Sequence, residues 1–264
     1  MVCRRVLLLL KIVLVPMLVV VVTLGGRRWG PRVGGFLTSF PIVAGPTLFF
    51  FSVEQGPAFA GEAARATLVS LVGVAVSGVV YVWAAVELPW WASLTVSWAA
   101  FVATSLALTA VRWSLPLGLV LAVGSFFLVR ALMPAVHGTP TARPRSRWDL
   151  PLRVAASVTV VLVLTHVADW LGPTRSGAFT AFPAALAILL VFTHVQQGVP
   201  SVVRFLHGFL PGMWSFALFC FVLGVAIVPL GPWLAFALAI ASLIPPQALV
   251  LWWVTSRRRR LVTS

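Results

Sequence analysis

Two stretches of the chain repeat a hydroxyl, an aromatic ring and a helix-breaking imino acid at one spacing: Thr38-x-Phe40-Pro41 and Thr180-x-Phe182-Pro183. Proline has no backbone N–H and its ring clashes with the preceding turn, so each stretch interrupts a helix and frees carbonyl oxygens. In lipid a freed carbonyl must find a hydroxyl, a water or a ligand. Hydroxyl, free carbonyls and aromatic ring together are groups that recognise a polar solute; the alternative is that both prolines simply shape helices for packing. A second polar set lies at the corners Glu54-Gln55-Gly56 and Gln196-Gln197-Gly198 and just beyond them, where Glu62 and Arg65 correspond to Arg204 and His207. Each of these pairs is spaced i,i+3, which puts both members on one helix face. They read as polar vestibules at opposite mouths of a path, Glu54 and Glu62 at one and Arg204 and His207 at the other. Anchoring at the membrane interface is the alternative.

Bond-breaking chemistry has no comparable signature. There is no C-x-x-C, H-E-x-x-H, P-loop or Gly-x-Gly-x-x-Gly pattern. His166, His194 and His207 have no acidic neighbour at ligand spacing, and Cys3 and Cys220 form no metal-binding pair. The sequence therefore predicts a protein that is not an enzyme and takes no cofactor or metal.

The elements that must position these groups follow from composition. The 264 residues are 61% hydrophobic and 9% charged, against about 25% charged in a typical soluble domain. Too little polar material exists to cover a water-facing surface. A bilayer core needs about 20 helical residues per crossing, and nine segments meet that length: 6–24, 35–53, 64–86, 90–111, 114–133, 150–168, 177–195, 202–228 and 232–255. The first follows Arg4-Arg5, ends in Gly25-Gly26-Arg27-Arg28 and lacks a small-x-small cleavage site, so it is expected to be a retained span.

Net charge is +14, but the basic residues sit between apolar segments, which reads as an orientation signal and not as a nucleic-acid surface. Arg27, Arg28, Arg32, Arg130, Arg143, Arg145, Arg147, Arg153, Arg204, Arg257, Arg258, Arg259 and Arg260 fall on one side. Arg4, Arg5, Lys11, Arg65, Arg112 and Arg175 fall on the other. The positive-inside rule then puts the long loop and the C-terminus in the cytoplasm. With nine spans the N-terminus is then outside; if one proline-broken segment only re-enters the membrane, the N-terminus moves inside while the C-terminus stays.

Residues 30–56 and 172–198 align without gaps and are identical at 11 of 27 positions, among them both Gly-Pro, both Phe-Pro and both Gln-Gly pairs. Shared apolar bias matches Leu with Val or Phe; it does not align such pairs. The chain is a duplication. Five expected spans separate equivalent points, an odd number, so the copies face opposite ways, as in transporters built from inverted repeats. The expected fold is an all-α polytopic membrane protein of about nine transmembrane helices, two four-helix inverted-topology repeats joined by a linking helix. Residues 1–112 are the first repeat, 113–149 the linking helix and a basic cytoplasmic loop, 150–256 the second repeat and 257–264 a basic cytoplasmic tail.

The second half, with SGAFTAFPAALAILLVFTHVQQG at 176–198 and PGMWSFALF at 211–219, resembles the GlpM-type family of small bacterial inner-membrane proteins. Gly177, Phe182-Pro183 and Gly212-Met213-Trp214-Ser215 carry the likeness. Family members are four-helix proteins the size of 148–256. The first half keeps Phe40-Pro41 but has Ser70-Leu71-Val72-Gly73 in place of the second cluster, so it matches more loosely. The resemblance implies the bacterial cell inner membrane and a link to envelope or polysaccharide physiology. Two readings of function stand: a transporter or exporter of a polar or amphipathic solute, and a non-catalytic membrane subunit or assembly factor of an envelope-polymer pathway. The expected partners are the lipid bilayer, a small solute, and a membrane-protein partner or second copy of the chain, with no nucleic acid.

Overall fold

The computed structural model describes residues 2–136, 148–171 and 181–248. Thr180, Arg175, the basic stretch 137–147 and the tail at 257–260 lie outside the described residues. Every described element is a helix: α1 (Val2–Trp29), α2 (Pro31–Thr38), α3 (Ala44–Glu54), α4 (Pro57–Glu87), α5 (Trp90–Thr109), α6 (Leu115–Ala131), α7 (Asp149–Leu171), α8 (Ala184–Gln197) and α9 (Val199–Ala241), the last broken by non-helical backbone at Gly231. Among the described residues, three helical stretches are long and apolar enough to cross a membrane: Pro57–Glu87, Trp90–Thr109 and Val199–Ala248. Exposed side chains on these stretches are largely hydrophobic, including Val96, Leu106, Val225, Val228 and Trp233. The molecule is thus an all-α protein with several apolar helices capable of membrane insertion.

Several positions aligned between residues 30–56 and 172–198 share backbone detail. Gly56 ends the corner before α4 with φ 91° and ψ 166°, and its partner Gly198 ends the corner before α9 with φ 77° and ψ 173°. This region of backbone space is essentially closed to residues with a Cβ, so a glycine is needed at both corners. Each is followed closely by a proline, Pro57 or Pro200, in the first turn, where the missing N–H costs nothing. The proline breaks match as well. The Ile42 N–H donates to the Phe40 carbonyl and the Gly45 N–H to that of Pro41, both at 2.8 Å; Ala184 to Phe182 and Ala187 to Pro183 repeat the pattern at the same length. The helix restarts at α3 in one copy and α8 in the other.

Helix α4 packs against α5, α9 and α6, helix α9 lies also against α2, and α1 packs on α2 and α7. The α2–α9 crossing is unusually close because glycines line it. A Cβ built on Gly35 would collide with the carbonyl oxygen of Phe205, one on Gly208 with that of Arg32, and one on Gly212 with the Ser39 hydroxyl. Gly208 and Gly212 have the small-xxx-small spacing that lets membrane helices approach to backbone contact. Helix α1 ends beside the start of α7, where Arg27 pairs with Asp149, and the two helices pack on each other.

Gly35→Ala and Gly208→Ala each place a methyl group against a backbone carbonyl that cannot rotate away. Each should cost about 3 kcal/mol, read as a lower melting temperature and loss of monodisperse protein in detergent. Gly124→Ala on α6, where a Cβ meets nothing within 4 Å, should be neutral or stabilising.

Candidate functional site

Among the described residues, two cavities between the helices differ in chemistry. The larger, about 260 Å³, lies at the end of the molecule where α1 finishes, α7 begins and α8 finishes. Asp149 opens α7, and Arg153 follows at i,i+4, so both project from one face of that helix. A carboxylate in the first turn of α7 and a cation in the last turn of α1 both suit the helix dipoles. Asp149 and Arg153 are each only 4% exposed. Arg153 Nε donates to Asp149 Oδ1 at 2.9 Å and Nη2 to Gln196 Oε1 at 3.1 Å. Arg27 Nη2 donates to Asp149 Oδ2, and Gln196 Nε2 to Oδ1. The Arg153 guanidinium also lies 4.6 Å from the centre of the Phe192 ring, a cation–π contact. One carboxylate therefore ties three helices together through two arginines and an amide.

Burial raises the proton affinity of Asp149, but hydrogen bonds from Gln196 and Arg153, the Arg153 charge and the bond from Arg27 outweigh it. The carboxyl is held below its ordinary range. Removing one partner of such a pair leaves an uncompensated buried charge and costs about 3–5 kcal/mol.

The smaller cavity, about 100 Å³, is bordered by Thr38, Phe40 and Pro41 from one copy and by Phe182 and Pro183 from the other. Val74, Phe209, Met213 and Phe216 make most of the remaining wall apolar. The Thr38 hydroxyl is spent within its own helix, donating to the Gly34 carbonyl at 2.8 Å, and Ser39 likewise donates to Phe36 at 2.6 Å. The hydroxyls beside the break thus serve the preceding turn. Phe182 stacks edge-on against Trp98 and Phe101, at 5.3 and 5.2 Å, which fixes its ring at the cavity edge.

The other expected path residues separate into groups. Gln196 and Gln197 line the charged cavity. Glu54 and Gln55 are exposed at the end of α3. Glu62 is exposed and paired with Arg65, whose Nη1 also donates to the Trp113 carbonyl at 3.1 Å. His207 is half-buried on α9 with Nδ1 3.3 Å from Arg130 Nη1, and Arg204, also half-buried on α9, does not line either cavity. Sequence reasoning used Arg27 and Arg153 only as orientation charges and left Asp149 in a loop. The signal that finds the cluster is the i,i+4 acid–base pair opening an apolar helix, in a chain with five acidic residues.

Because the folded pKa of Asp149 lies below its unfolded value near 3.9, its contribution is present above about pH 4 and is lost as pH falls through the folded value. Melting temperature in detergent should fall as pH drops below about 4 in the native protein. Asp149→Asn should be destabilised by about 3–5 kcal/mol at pH 7 and show a much flatter profile over that acid range. No family model matches the chain, and neither a curated protein nor a solved structure matches it.

Proposed function

We propose that the chain is a small integral-membrane transporter or exporter of a polar or amphipathic solute, formed by two inverted four-helix repeats and a linking helix that together cross the membrane nine times. The observation that carries this reading is that both proline-interrupted segments, equivalent in the duplication, border one cavity between the copies. Interrupted helices at matching places in two inverted halves are where secondary transporters hold their substrate. The end of α1 lying beside the start of α7, equivalent helices in this reading and joined at Arg27 and Asp149, supports inversion. The charged cavity at one end and the break-lined cavity deeper in then lie along one route, with Gln196 and Gln197 at its basic mouth. Positive charge places that mouth, the 137–147 stretch and the C-terminus on the cytoplasmic side. Through the GlpM-type resemblance the membrane is the bacterial inner membrane.

A non-catalytic membrane subunit or assembly factor is the second reading. It is favoured by the apolar wall of the smaller cavity and by the Thr38 hydroxyl being used within its own helix.

Single cysteines separate the two. In a background with Cys3 and Cys220 replaced, Phe40→Cys and Phe182→Cys should react with small charged thiol reagents applied from either side of the membrane if the break-lined cavity is alternately exposed. A dry structural core labels from neither side, and that outcome removes the transport reading. Orientation is checked separately: Ser146→Cys and Thr263→Cys should resist an impermeant thiol reagent in intact cells and react once the membrane is opened. Labelling of both in intact cells reverses the assignment.

A further inference from the structure

The charged cavity carries more positive charge than its own carboxylate can balance. Among the described residues lining it, two guanidinium groups face one aspartate. Both oxygens of Asp149 are already engaged, Oδ2 by Arg27 and Oδ1 by Arg153 and Gln196. A guanidinium has five N–H groups, and the bonds made here use Arg27 Nη2 and Arg153 Nε and Nη2. Arg153 is nearly fully buried and Arg27 is 26% exposed, and their surplus charge and donors border the cavity. A partly buried excess of one positive charge favours an anion beside it. There is room for one: the space is about 260 Å³ and is edged by Thr23, Thr193 and Gln197 beside the apolar Leu189 and Phe205.

We propose that this cavity binds the oxyanion group of an acidic ligand, a phosphate or carboxylate clamped by Arg27 and Arg153. The planar forks of arginine suit such groups through paired N–H bonds, and the Leu189 and Phe205 wall takes a short apolar body attached to them. The excess belongs to one end of the molecule. In the repeat register Arg27, Arg153 and Gln196 correspond to Asp169, Lys11 and Glu54, so the equivalent positions of the other copy hold one cation against two carboxylates. The ligand reaches the cavity either from solution or as the headgroup of an anionic lipid. Binding is independent of transport, so failure of the cysteine-accessibility test leaves it standing.

The test uses the full chain purified in a neutral detergent, with melting temperature as readout. Inorganic phosphate and sodium acetate are titrated at ionic strength held constant with sodium chloride, and phosphatidylglycerol is compared with phosphatidylcholine in mixed micelles. A saturable rise with phosphate or acetate identifies a soluble acidic ligand; a rise with phosphatidylglycerol alone identifies a lipid headgroup. In either case Arg27→Gln should weaken half-saturation at least tenfold. Arg28→Gln, an exposed neighbour that does not line the cavity, removes the same charge and should leave it unchanged. Where Arg27→Gln does not fold, Arg27→Lys keeps the charge, loses the fork and should weaken half-saturation measurably. The proposal is overturned if none of the three additions gives a saturable rise, or if the Arg27 variant that folds responds like Arg28→Gln.

Discussion

The crossing of α2 and α9 fixes how close the two copies can come, and most of the interior follows from that distance. Gly35, Gly208 and Gly212 bring one helix onto the backbone of the other, so attraction comes from many short carbon–carbon contacts and not from expelled water. That matters in lipid, where the hydrophobic effect gives no reason for two apolar helices to prefer each other. Phe205, Leu206, Phe209 and Met213 flank the crossing on α9 and are all buried. Phe209 and Met213 then form part of the wall of the smaller cavity, and Phe205 part of the larger. A helix of larger residues at 208 and 212 would hold α2 away and open both spaces.

The proline breaks and the glycine corners act together. Each break interrupts a helix at the same point of the duplicated unit and each corner reverses the chain at the same point, with matching hydrogen bonds and torsions. The copies have nevertheless diverged where charge is concerned. Glu62 and Arg65 pair with each other on α4, whereas the equivalent Arg204 and His207 on α9 cannot, and His207 meets Arg130 instead. One scaffold therefore presents two chemically different ends.

Helix-forming segments, duplication and the places where helices break were legible in the sequence, because each rests on local properties. Apolar run length sets where a helix can lie in a membrane, proline sets where it cannot continue, and an aligned Gly-Pro or Phe-Pro pair repeats regardless of what surrounds it. The use of the Thr38 hydroxyl was not legible, because a threonine can satisfy its own turn or face a ligand with the same local sequence. Here the i−4 carbonyl of Gly34 is within reach and takes the bond.

The charged cluster marks the boundary most clearly. Composition and spacing alone place Arg27 at the end of one apolar segment, Asp149 and Arg153 at the start of another, and Gln196 at the end of a third. Nothing local says that these three ends meet, since residues 27 and 149 are 122 positions apart. Only the tertiary packing of α1 against α7 and α8 brings them together and removes them from water. Burial is what turns four ordinary interfacial residues into a site, because a charge that solvent would screen must there be balanced by neighbours or by a ligand.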